Sequence, residues 1–77
     1  MGYLIYGKHT EQWCDTKTGK WYEPDKTFAP LDWNGKRLTK KNERQNAFEY
    51  ATREDAQERL DAVNKKKGTA FEIRKAK

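Results

Sequence analysis

The residues with the clearest chemical purpose crowd between positions 33 and 44: Trp33, Lys36, Arg37, Lys40, Lys41 and Arg44. Lysine and arginine neutralise phosphates, and an indole beside them offers a face on which an unpaired base can stack. A second basic run, Lys65, Lys66 and Lys67, is followed by Arg74 and Lys75 and extends the same kind of surface. The chemistry expected is contact with a nucleic-acid backbone, indifferent to sequence and weakened by salt. The competing account makes these charges a solvated face and Trp33 a core residue. Surplus aromatics would then mark a surface for a protein partner.

Catalytic chemistry finds less support. His9 and Cys14 are the only histidine and the only cysteine. They fall short of the three or four nitrogen and sulfur ligands of a zinc site, even with Glu11 or Asp15 nearby. A Cys–His nucleophile pair needs an arranged geometry that no local motif indicates. The carboxylates Glu54, Asp55, Glu58 and Asp61 are spaced so that Asp55 meets Arg59, and Asp61 meets Lys65, one helical turn apart. Each such pair is worth about 0.2–0.5 kcal/mol, so a solvated, salt-bridged face is the simpler reading and an acidic surface for a partner the second. Gly19-Lys20 is followed by Trp21, and Gly35-Lys36 by Arg37, so neither is a phosphate-binding loop. The expectation is a non-enzymatic binding module with no cofactor, metal or small-molecule substrate.

Composition frames that expectation. The chain has 77 residues, 38% charged and 34% hydrophobic, with a net charge of +5. Residues 1–77 are therefore expected to form a single small domain. So polar a sequence invites disorder, but three Trp, four Tyr and three Phe bury much area per residue and argue for a folded chain. The charge is blocky. Residues 33–48 carry five basic residues against Glu43, residues 49–63 carry five acids against two arginines, and residues 64–77 carry six basic residues against Glu72. Two positive blocks thus flank an acidic helix, which suggests an anionic partner. A lone cysteine fits a reducing compartment. No apolar run approaches the ~18 residues of a membrane span. The opening MGYLIYGKHT lacks a secretory pattern, and Tyr6 stands where myristoylation wants Ser or Thr. A cytoplasmic location is expected.

The elements that must position these residues follow from periodicity. Tyr3–Tyr6 reads as a first strand, with either Tyr3 and Ile5 or Leu4 and Tyr6 toward the core. Glu11–Glu23 reads as a β-hairpin, Asp15 opening the turn, Gly19 closing it, and Trp13, Trp21 and Tyr22 able to pair across it. Two prolines bound an irregular Pro24–Leu31, with Phe28 and Leu31 as anchors. Asn34-Gly35 is the strongest turn signal, closing a small hairpin into Arg37 and Leu38. Thr39–Asn46 is an exposed loop. Ala47–Ala51 is expected as a strand, a helix runs from Arg53 to about Lys65 with Thr52 as its N-cap and Gly68 as its C′ residue, and Thr69–Lys75 is the last strand. The predicted fold is α+β: a small, mainly antiparallel sheet with one helix on one face, a β-hairpin followed by β-α-β. If the strands flanking the helix are neighbours, the crossover should be right-handed. The predicted core is Ile5, Trp13, Tyr22, Phe28, Phe48, Tyr50, Ala56, Leu60, Val63, Phe71 and Ile73.

From Phe48 onward, a strand (Phe48–Ala51), a helix opening on Thr52-Arg53-Glu54-Asp55-Ala56 with Leu60 behind it, and a closing Ala70-Phe71-Glu72-Ile73 resemble the small early-region accessory proteins of tailed bacteriophages. The resemblance implies a small α+β domain that acts in the host cytoplasm by binding. Its partner would be a host nucleic-acid-processing enzyme, a defence complex or DNA itself. It carries no functional residue across, because no site motif is matched. The N-terminal aromatic hairpin lies outside it.

Overall fold

β1 (Tyr3–His9) is the strand on which the rest of the chain is assembled. The computed structural model describes residues 2–63 and 68–76. Along one edge β1 pairs antiparallel with β5 (Thr69–Lys75), from Tyr3 opposite Lys75 to His9 opposite Thr69. Its other edge passes between short segments. Tyr3 exchanges two backbone hydrogen bonds with Tyr50, at 2.7 and 2.8 Å. Ile5 accepts from the Leu31 amide at 2.9 Å. Tyr6 and Gly7 face Pro30 and Ala29 of β4 (Ala29–Pro30). His9 then meets Asp25. Pro30 is tolerated because β4 is an edge strand.

This sharing explains why Ala47–Ala51 is not the strand the sequence predicts. Only Tyr50 finds a free rung on β1. Tyr50 and β5 lie on opposite edges of β1, so the segments flanking the helix run parallel but are separated by β1 rather than adjacent. The α+β class stands: a three-stranded antiparallel sheet β4-β1-β5, a two-stranded hairpin and one helix against β1 and β5. The hairpin pairs β2 (Trp13–Asp15) with β3 (Lys20–Tyr22) through a turn in which Asp15 Oδ1 accepts from the Lys17 amide and Gly19 takes φ 69°.

Alternation along β1 sends Tyr3, Ile5 and Gly7 toward the helix, where Ile5 joins Leu31, Tyr50, Ala56 and Leu60, with Phe71 and Ile73 packed beside them. Gly7 sits opposite Phe71, and a Cβ there would lie 3.0 Å from the Phe71 ring, so glycine lets that ring lie close over the strand. On the opposite face the Arg74 guanidinium lies 4.3 Å from the Tyr6 ring and 5.6 Å from Phe28, and Lys8 lies 4.9 Å from Phe28. Cations therefore cover the face that no helix covers.

α1 (Arg53–Val63) begins where Thr52 Oγ1 accepts from the Asp55 amide at 3.1 Å, with Glu54 and Asp55 at the positive end of its dipole. Ala56 and Leu60 are its buried residues. Asp55 is not paired with Arg59, which is drawn instead to Trp33, and Asp61 accepts from Gln57. Lys65, the expected partner of Asp61, and the expected helical turn before Gly68 fall outside the described residues.

The buried core is smaller and more aliphatic than predicted: Ile5, Ala29, Leu31, Leu38, Tyr50, Ala56 and Leu60. Ala29 and Leu38 were not expected in it. Tyr22 and Phe48 are exposed, and Trp13, Phe28 and Val63 only half-buried. Five of the ten Trp, Tyr and Phe rings gather in two clusters at the edge of the core, because so short a chain has no layer thick enough to enclose them.

Candidate nucleic-acid interface

The first ring cluster is a column. His9 ends β1, Trp13 starts β2 and Tyr22 ends β3. Trp13 and Tyr22 are cross-strand partners, so their rings share a face and stack with centroids 4.7 Å apart. His9 stacks on Trp13 at 4.2 Å and 12°. Asp25 locks the upper end. Its amide donates to the His9 carbonyl at 2.9 Å, and its Oδ2 accepts from the His9 amide at 2.7 Å and lies 3.1 Å from His9 Nδ1. Arg37 Nη1 reaches the same oxygen at 2.7 Å, and its guanidinium lies 5.5 Å from the Trp13 ring.

A cleft of about 990 Å³ runs beside this column. Its far wall is the Asp32–Lys36 turn. Asp32 Oδ1 accepts from the amides of Asn34 and Lys36, both at 2.9 Å, and Gly35 takes φ 85°. Gly35 suits that backbone, and a Cβ there would also crowd Val63 at 3.2 Å. The rim carries Lys17, Lys36 and Lys40, none in an ion pair among the described residues. Of the four carboxylates that line the cleft, three are engaged, and Glu43 is in no ion pair among the described residues. Asp25 holds His9 and Arg37, Glu23 accepts from Gln12, and Asp15 closes its turn. Trp13 Nε1 is buried without an acceptor among the described residues.

Comparison with protein-family models, with curated proteins and with solved structures finds no match. The site therefore rests on its own geometry.

Of the residues singled out by sequence, Lys36, Arg37 and Lys40 line this cleft. Lys41 and Arg44 continue the same exposed loop, which holds a short 3-10 helix at Arg44–Asn46. Arg37 is not a free cation: its side chain is 16% exposed and tied to Asp25, so it organises the column. Trp33 does not join the basic surface. It points to the other side of the turn, 47% exposed, with Arg59 lying 4.0 Å from its ring. Lys65, Lys66 and Lys67 lie outside the described residues. The stacking platform of the cleft is His9, Trp13 and Tyr22. Sequence reasoning assigned Trp13 and Tyr22 to the core and weighed His9 only beside Cys14. The signal for it was the pair of aromatics at matched positions of the hairpin.

His9 and Cys14 do not assemble a nucleophile. The His9 ring is engaged with Asp25 and Trp13, and Cys14 Sγ lies 3.8 Å from the Asp15 carbonyl. No group of three or more His, Cys, Asp or Glu side chains among the described residues could hold a metal ion. No helix among them is long and apolar enough to cross a membrane.

Proposed function

We propose that this chain is a small non-enzymatic module that binds single-stranded nucleic acid in the ring-lined cleft. One observation carries the reading: a three-ring column stands beside three lysines, Lys17, Lys36 and Lys40, that are unpaired among the described residues. Unpaired bases stack on exposed ring faces, and lysines neutralise the phosphates that follow. Tyr22, at the end of the column, supplies the stacking face once the exposed Lys20 side chain, whose Nζ lies 5.6 Å from its ring centroid, swings aside, and Trp13 Nε1 offers a hydrogen bond to a base or sugar oxygen. The contacts are directed to backbone and stacking, so sequence preference is weak. In this reading the chain acts in the cytoplasm, as a resemblance of its residues from Phe48 onward to phage accessory proteins would imply.

The test is a tryptophan-fluorescence titration with single- and double-stranded DNA and RNA at low and near-physiological salt. Saturable quenching by single strands, weakening steeply with salt and shifted roughly tenfold to higher concentration by Lys36→Glu plus Lys40→Glu, supports the reading. Equal binding by that variant overturns it.

A second reading, an inhibitor or adaptor that docks on a host protein or defence complex, is favoured by Trp21. This residue is 67% exposed on the hairpin face opposite the column. It predicts a stoichiometric protein complex that survives nuclease treatment and is lost with Trp21→Ser.

A further inference from the structure

A second cavity, of about 570 Å³, lies on the other side of the Asp32–Lys36 turn. Its wall is three rings in mutual contact. Phe48 lies 4.8 Å from Trp33 and 4.7 Å from Tyr50, and Trp33 lies 6.0 Å from Tyr50. Phe48 is 40% exposed, although it is one of the largest apolar side chains in the molecule. The rim carries Glu49, Asp55 and Glu58, none in an ion pair among the described residues. The one cation among the described residues that line the groove, Arg59, is otherwise engaged: its Nε donates to the Trp33 carbonyl at 2.8 Å and its guanidinium covers the Trp33 ring.

Tyr50 supplies an independent sign of a missing ligand. It is 5% exposed and lines this groove, and its hydroxyl has no hydrogen-bond partner among the described residues. Burial raises its pKa above the usual tyrosine value. Arg59 is near enough to oppose that shift but makes no hydrogen bond of good geometry to the hydroxyl. A buried hydroxyl left unpaired is unfavourable and calls for a polar partner.

We propose that this groove docks a basic peptide segment of a partner protein. An apolar side chain of the segment enters against Phe48, and its neighbouring lysine or arginine side chains meet Glu49, Asp55 and Glu58. Charge complementarity selects this occupant. In a chain of net charge +5, three unpaired carboxylates surround the exposed ring, and they repel both acidic peptides and nucleic acid. Asp55 and Glu58 stand one helical turn apart on α1, with Glu49 on the segment before it, so the charges are spread along the groove in a way that suits an extended segment better than a single ion. The Tyr50 hydroxyl takes a hydrogen bond from the segment. This site stands whether or not the cleft across the turn holds nucleic acid.

The probe is a random peptide library selected on the immobilised full chain, followed by fluorescence-anisotropy titration of the enriched peptide. The expected consensus places lysine or arginine beside an aliphatic or aromatic residue. Glu58→Lys and Phe48→Ala, both at exposed positions, should each weaken the enriched peptide by about tenfold. Lys36→Glu, across the turn, should leave it unchanged. No consensus, an acidic consensus, or binding indifferent to Glu58→Lys or to Phe48→Ala overturns the proposal.

Discussion

The two ring clusters are built alike and charged oppositely. Each centres on a tryptophan with two ring neighbours and an arginine over its face: Trp13 with His9, Tyr22 and Arg37, and Trp33 with Phe48, Tyr50 and Arg59. In the first, the arginine is neutralised by Asp25, and the unpaired charges at the rim are Lys17, Lys36 and Lys40 against Glu43. In the second, the arginine is held by a backbone carbonyl and the surroundings are carboxylates. The Asp32–Lys36 turn and the end of α1 divide them, with Val63 on one side and Ala62 on the other. The same packing solution for surplus aromatics thus yields two surfaces, and the charges at their rims decide what each attracts.

The largest expected effect comes from removing Asp25, which holds one column together. Asp25→Ala leaves Arg37 without its counter-ion and the His9 amide without its acceptor. The expected loss is about 2–3 kcal/mol, measured by urea unfolding. Should this substitution prove neutral, the column would not depend on its ion pair. Next in size is the double reversal Lys36→Glu with Lys40→Glu, expected to cost roughly tenfold in single-strand affinity, or about 1.4 kcal/mol. Glu58→Lys, at the other cluster, should leave that affinity unchanged or raise it. A smaller effect, about 0.5–1 kcal/mol, is expected as the coupling energy between Trp33 and Arg59 in a double-mutant cycle read by thermal unfolding. A coupling near zero would make that stack ornamental.

The smallest effect separates the clusters by pH. Burial raises the folded-state pKa of Tyr50 above its ordinary 10.0. Below that ordinary value both states are protonated and the contribution to stability is intact. As pH climbs past it, the unfolded chain ionises first and the contribution is lost on the way to the folded pKa. Tyr50→Phe should therefore flatten the alkaline fall in stability and, because it removes an unpaired buried hydroxyl, should not lower stability at neutral pH. A variant as alkali-sensitive as the parent would place the titration elsewhere.

Much of the framework was legible because it depends on local signals. Thr52, Gly19 and Asn34-Gly35 each act within a few residues, and the cap and both turns stand where the sequence puts them. The strand at Ala47–Ala51 was misread because its fate depends on which rungs of β1 remain open, and β4 and Leu31 take the rest. The candidate site was half legible. Lys36 and Lys40 were read from charge alone and do line the cleft. Trp33 was assigned to the wrong side, because sequence proximity to lysines says nothing about which face of a turn a side chain takes. His9 was passed over because its role needs Asp25, which comes from a segment the prolines make irregular.

The most direct measurement uses the chain with Trp21→Phe and Trp33→Phe, which leaves Trp13 as its only tryptophan. Its fluorescence is titrated with a short single-stranded DNA at low salt and again near physiological salt, with circular dichroism confirming the fold. The account predicts saturable quenching of Trp13, stronger with single than with double strands and weakened by salt. Unchanged Trp13 fluorescence at low salt, where electrostatic attraction is greatest, would contradict a nucleic-acid role for the cleft.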